Sequence, residues 1–154
     1  MITVDLARSL RTAGLRWRPA SGDRFVVEHL AEVDEPLDVF TLSDMTIEAH
    51  HYPTGTELGF NGTTEWALDS VSADVALWLP REDQLRTLLG PAFVSLTHQV
   101  DDGEHIAWTV LLRPEAVGDG DSRHVADDAE SAYALALLAY LDASLRIDEI
   151  SEVD

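Results

Sequence analysis

The sequence has no cysteine and no lysine. Without thiols there is no disulfide framework, no thiolate metal ligand and no cysteine nucleophile. All 10 basic residues are arginine, against 29 aspartates and glutamates, for a formal charge of −19. A surface so acidic repels phosphodiester backbones and anionic lipid headgroups, so neither direct nucleic-acid backbone binding nor a membrane partner is expected. Long apolar runs are also missing. The longest, Ala132 to Leu141, is far shorter than the roughly 20 residues a bilayer-spanning helix needs. Met1 to Leu10 lacks the basic start and apolar stretch of a secretory signal. The expectation is a soluble, cytoplasmic protein.

Catalytic signatures are absent too. Gly118-Asp119-Gly120-Asp121 sets acidic side chains where a phosphate would need donors, and it lacks the ligand spacing of a calcium loop. There is no Gly-x-Ser-x-Gly elbow and no His-Glu-x-x-His helix. Asn61-Gly62-Thr63 matches a glycosylation sequon but is better explained as a turn. No cofactor is expected, and the balance leans away from an enzyme.

What is present is a chain of 154 residues, 45% hydrophobic, enough to bury a core unaided. The pattern reads as one α+β domain over residues 1–147, β-rich to about residue 73 and α+β from about 74. An acidic, mobile tail over 148–154 is expected to follow. The fold expected is an antiparallel sheet of hairpins packed against an N-terminal helix, a short proline-started helix and a long apolar C-terminal helix.

Thr3 to Ala13 has the spacing of a short helix, with Leu6, Leu10 and Ala13 on one face. Trp17 to Pro19 and Arg24 to His29 read as extended pieces joined by the Ala20-Ser21-Gly22-Asp23 turn, and Ala31 to Asp38 as a loop. Met45 to Tyr52 and Thr56 to Phe60 alternate as strands. A two-residue Thr54-Gly55 turn would pair His51 with Leu58 and Ala49 with Phe60. Asn61-Gly62 then predicts a second tight hairpin, with Thr63 to Leu68 as a third strand or a short helix, Glu57 opposite Trp66 and Gly59 opposite Thr64.

In the second half Pro80 opens a helix whose buried stripe is Leu85, Leu88 and Leu89, ended by Gly90-Pro91. A hairpin across Asp101-Asp102-Gly103 would place Val94, Leu96 and His98 opposite Val110, Trp108 and Ile106. Glu115 to Arg123 reads as loop, and His124 with it. Asp127 and Glu130 start a helix running to about Leu145 that is apolar nearly all round. Such a helix calls for cover on two sides, by the sheet and by either another helix or a second subunit in a homodimer.

The candidate site is the polar face of the first sheet: Glu48, His50, Tyr52, Glu57 and Trp66. Glu48 and His50 lie two apart on one strand and point the same way. Carboxylate beside imidazole suits zinc or general acid–base work, and the rings offer a surface for a small ligand. The plainer reading is a half-exposed sheet face with cross-strand polar pairs. His51 and His98 are expected on core faces, and Trp78 and Trp108 as core anchors.

The run Ala76-Leu77-Trp78-Leu79-Pro80-Arg81-Glu82-Asp83-Gln84-Leu85-Arg86-Thr87-Leu88-Leu89-Gly90, the hairpin after it and Asp127-Asp128-Ala129-Glu130-Ser131-Ala132 resemble small phage and prophage proteins of αβα-sandwich type, over about the last half of the chain. Phe60-Asn61-Gly62-Thr63-Thr64-Glu65-Trp66-Ala67-Leu68-Asp69 resembles a group of actinobacterial hypothetical proteins, some labelled as pilus-assembly proteins. Pilus-assembly ATPases need a phosphate loop, and this sequence has none. Neither resemblance implies an activity or catalytic residues. The leading expectation is a non-enzymatic binding or adaptor module, of phage descent, acting through a protein partner. The alternatives are a small metal-dependent or ligand-binding enzyme on the Glu48/His50 face, and an acidic mimic of DNA.

Overall fold

The computed structural model describes residues 1–28, 37–43, 47–60, 70–101, 105–113 and 120–151. They form an α+β fold of three helices and three antiparallel three-stranded sheets. The chain divides into two compact units. One is Arg16–Pro80; the other joins Met1–Leu15 to Arg81–Asp154.

Among the described residues the Arg16–Pro80 unit is built of strands, with one 3-10 turn at Ala73–Val75. Its first sheet has β1 (Arg24–Val27) in the centre, between β2 (Val39–Thr41) and β6 (Ala76–Leu79). Its second runs β3 (Ile47–Tyr52), β4 (Gly55–Phe60), β5 (Ser70–Ser72). One face of each sheet supplies a shared core of Phe25, Val27, Leu42, Ile47, Leu58, Val71 and Ala76. An aromatic chain runs through it, Trp17 to Phe25 to Phe40 to Phe60, at centroid spacings of 5.5, 5.5 and 5.6 Å. Such offset and edge-on contacts add to the energy of area burial.

The Ala20-Ser21-Gly22-Asp23 turn forms as the sequence suggests, and a buried carboxylate organises it. Asp23, 1% exposed, accepts hydrogen bonds from the Trp17 indole at 2.9 Å and the Ala20 amide at 3.0 Å. The turn is stitched to the end of β2: Gly22 N–H donates to Leu42 O at 2.7 Å, and Leu42 N–H to Asp23 O at 2.8 Å.

The first hairpin differs from its expected register. Tyr52 pairs with Gly55, Ala49 with Leu58 and Ile47 with Phe60, so the turn is Pro53-Thr54 rather than Thr54-Gly55. Proline suits the first inner position of a β-turn, and Gly55, at φ +144°, takes the positive φ just after it. The slip is two residues, so each side chain keeps its face. His51 nevertheless sits at the hairpin's exposed end rather than in the core, its Nδ1 3.0 Å from Thr56 Oγ1.

On its side away from β3, β4 pairs with β5. Glu57 pairs with Ser72, Leu58 with Val71 and Gly59 with Ser70, so β4 is completed by β5 and Trp66 does not stand opposite Glu57. Trp66, with residues 61–69, lies outside the described residues.

In the other unit Thr3 caps α1 (Val4–Thr12), its hydroxyl accepting from Leu6 N–H at 3.2 Å; Ala7 and Leu10 are buried. Pro80 precedes the N-cap Arg81 of α2 (Glu82–Leu89), and Gln84 Oε1 accepts from Arg81 N–H at 3.0 Å. Leu85 and Leu89 are buried, but Leu88 is 41% exposed. The turn of 100° per residue swings it off the stripe.

The third sheet, in this unit, orders β7 (Phe93–Asp101), β8 (His105–Leu112), β9 (Ser122–Ala126). Its hairpin is also two residues from the expected register: Leu96 faces Val110, His98 faces Trp108 and Val100 faces Ile106, with a bulge between Phe93 and Ser95. The shift carries His98 and Val100 beyond the buried part of the face. His98 is exposed and stacks on a half-buried Trp108 at 5.0 Å, so neither is a core residue as expected. His124 belongs to β9, not to a loop, and pairs with Val110. Its Nε2 lies 3.1 Å from Ser122 Oγ, and burial pushes its pKa down. Ahead of β9, Arg113 grips Asp121 through two bonds of 2.7 and 2.9 Å, which holds that carboxyl below its usual range.

Helix α3 (Ala129–Ser151) continues past Leu145 into the expected tail; residues 152–154 lie outside the described residues. It contacts β8 and β9 and also α1 and α2. That is the second-side cover its apolar composition demanded, and the same chain supplies it. Ala132, Tyr133, Ala134, Ala136 and Leu137 are all buried. No described helix is long and apolar enough to cross a membrane.

Candidate functional site

Strand β3 positions the candidate residues. Alternation puts Ile47, Ala49 and His51 on one face and Glu48, His50 and Tyr52 on the other. Glu48 pairs with Gly59 and His50 with Glu57, so the polar face brings together Glu48, His50, Tyr52 and Glu57 as expected. It is open. Glu48 and His50 side chains are 39% and 45% exposed, Tyr52 is 52% exposed, and Glu57 is exposed.

The glycine at position 59 shapes this face. A β-carbon there would come within 2.9 Å of His50 Nε2 and 3.0 Å of its Cδ2, so the imidazole lies over the glycine. From that seat His50 Nε2 stands 3.9 Å from Glu48 Oε2, a loose pair across open solvent. Screening leaves such exposed pairs worth about 0–1 kcal/mol. Among the described residues no three or more His, Asp or Glu side chains converge as metal ligands would.

Sequence reasoning missed the groove beside this face. About 420 Å³ of space is lined by Pro19, Ala20, Ser21, Leu42, Ile47, Glu48, Ala49 and His51. One wall is the turn held by Asp23; the other is the edge of β3. These residues are far apart in sequence; the bonds of Gly22 and Asp23 to Leu42, and those between Ser43 and Ile47, bring them together.

The edge is chemically unfinished. Ile47 exchanges two backbone bonds with Ser43, Ser43 N–H to Ile47 O at 2.9 Å and Ile47 N–H to Ser43 O at 3.2 Å, so its polar groups point away from β4. Backbone direction alternates along a strand, so Ala49 and His51 also turn their N–H and C=O outward, toward the groove side. Among the described residues no strand pairs with them there.

No protein-family model, curated protein or solved structure matches this chain.

Proposed function

We propose that this protein is a non-enzymatic binding module that acts through contacts with a protein partner, using the β3 face and the groove beside it. The observation carrying this reading is the open edge of β3 between a polar face and a partly apolar groove. Enzymes commonly enclose their reacting groups, because exclusion of water strengthens every electrostatic interaction in the site. Glu48 and His50 sit instead in solvent, where acid–base or metal chemistry gains little. An extended surface of exposed side chains and unpaired backbone suits recognition of another chain.

The test places a photo-crosslinking amino acid at Tyr52 and irradiates the protein in extract of cells that produce it. A discrete crosslinked protein that disappears with Glu48→Arg supports the reading. Absence of any adduct, or an adduct indifferent to Glu48→Arg, overturns it. So does a hydrolytic or metal-dependent activity that His50→Ala abolishes while circular dichroism shows an intact fold.

A further inference from the structure

We infer that the outer edge of β3 accepts an extended peptide as an added strand, and that this peptide alternates apolar with basic side chains. The inference rests on the binding reading above and names the partner's chemistry.

The backbone argument comes first. Ile47 spends its outward groups on Ser43, whereas Ala49 and His51 present two N–H and two C=O groups with no strand beside them among the described residues. Protected sheet edges carry lysine, proline or a bulge. The chain has no lysine, β3 has no proline, and its pairing with β4 runs unbroken from Ile47 to Tyr52. An edge with none of these devices is open to strand addition.

Side chains define the occupant. A strand beside Ala49 and His51 sends alternate side chains to opposite faces. One set enters the groove with Leu42, Ile47, Ala49 and Pro19, which calls for apolar residues. The other set lies alongside Glu48, His50 and Tyr52, with Glu57 on the next strand. Among the described residues no arginine lines either surface, and the chain carries −19, so the second set is basic. The same charge disfavours a second copy of this chain as occupant, since two such molecules repel.

The probe is a capped hexapeptide alternating arginine and valine, titrated into the full-length ¹⁵N-labelled protein. Its controls are a glutamate–valine peptide and an arginine–valine peptide N-methylated at alternate amides in either phase. Expected are amide shift changes at Ala49 and His51, with binding at least tenfold weaker when the methyls fall on the bonding amides. Ala49→Pro removes an outward N–H without touching the β3–β4 ladder, and it weakens binding at least tenfold. Equal binding of the acidic peptide, or indifference to both N-methylation and Ala49→Pro, overturns the inference. A concentration-dependent dimer abolished by Ala49→Pro, with no peptide bound, also overturns it and assigns the edge to a second copy. If no peptide binds but crosslinking at Tyr52 persists, strand addition is wrong and the binding module stands; loss of both overturns both.

Discussion

Replacing Asp23 with alanine separates a structural carboxylate from a merely buried one. Two donors end on a single Asp23 oxygen, the Trp17 indole at 2.9 Å and the Ala20 amide at 3.0 Å, in a residue 1% exposed. Stranding a buried donor costs about 1–3 kcal/mol. Trp17 is half-buried, so water recovers part of its share, and Asp23→Ala is expected to cost about 2–4 kcal/mol in total. Asp23→Asn keeps an oxygen in the same place and gives up only the charge assistance, for about 1–2 kcal/mol. Trp17→Phe removes one donor and is expected to be strongly non-additive with Asp23→Ala, since both delete the same bond. Urea unfolding followed by near-ultraviolet circular dichroism reads these values. With a slope of about 2 kcal/mol/M, Asp23→Ala lowers the midpoint by roughly 1–2 M. The Asp23 turn is one wall of the groove, so the same variant weakens arginine–valine peptide binding as well. A cost below about 1 kcal/mol for Asp23→Ala, or equal costs for alanine and asparagine, refutes the assignment.

Three other outcomes are expected. Gly59→Ala drives the His50 ring from its seat, because the new carbon meets Nε2 at 2.9 Å, yet the ring is exposed enough to swing away; stability changes by less than about 1 kcal/mol, while the nuclear Overhauser contact between the imidazole and residue 59 is lost. In α2, Leu85→Ala and Leu89→Ala each cost about 2–5 kcal/mol by thermal or urea unfolding, and Leu88→Ala less than about 0.5 kcal/mol, because only Leu88 is exposed. Burial depresses the pKa of His124, so the unfolded chain binds a proton more readily there than the native one. Stability from this group is therefore full above its unfolded value of about 6.5 and is lost as pH falls through that value toward the lower folded one; the unfolding midpoint of His124→Gln, measured between about pH 7 and 5, loses this part of its slope.

Side-chain faces were readable in the sequence, and registers were not. Alternation told that Ile47, Ala49 and Leu58 share a face, and it is indifferent to a shift of two residues, which is the error made in both hairpins. The first is settled by turn chemistry, proline at 53 and a positive φ at Gly55, which places the turn one residue before the Thr54-Gly55 pair. Strands β5 and β9 escaped because Ser70–Ser72 and Ser122–Ala126 are short and polar, and β6 because Ala76–Leu79 resembles the approach to a helix. Asn61-Gly62 suggests a partner for β4 that starts at Thr63, whereas the observed partner is Ser70–Ser72, too short and polar to announce itself. The Glu48/His50 face was legible because its members lie on one strand. The groove was not, since Pro19 and Leu42 join β3 only through tertiary bonds.

The unit that contains α1 is interrupted by the other: the chain leaves it after Leu15 and re-enters at Arg81. Synthesis therefore delivers the β-rich segment complete while the first helix still lacks its partner α3, made from Ala129 onward. At about 5–20 residues per second, that helix waits roughly 6–28 s with the Ala7 and Leu10 face uncovered. The nascent chain thus has a built-in order of assembly. Within this unit α1 is made before the intervening segment and meets its partner α3 only after that segment is complete.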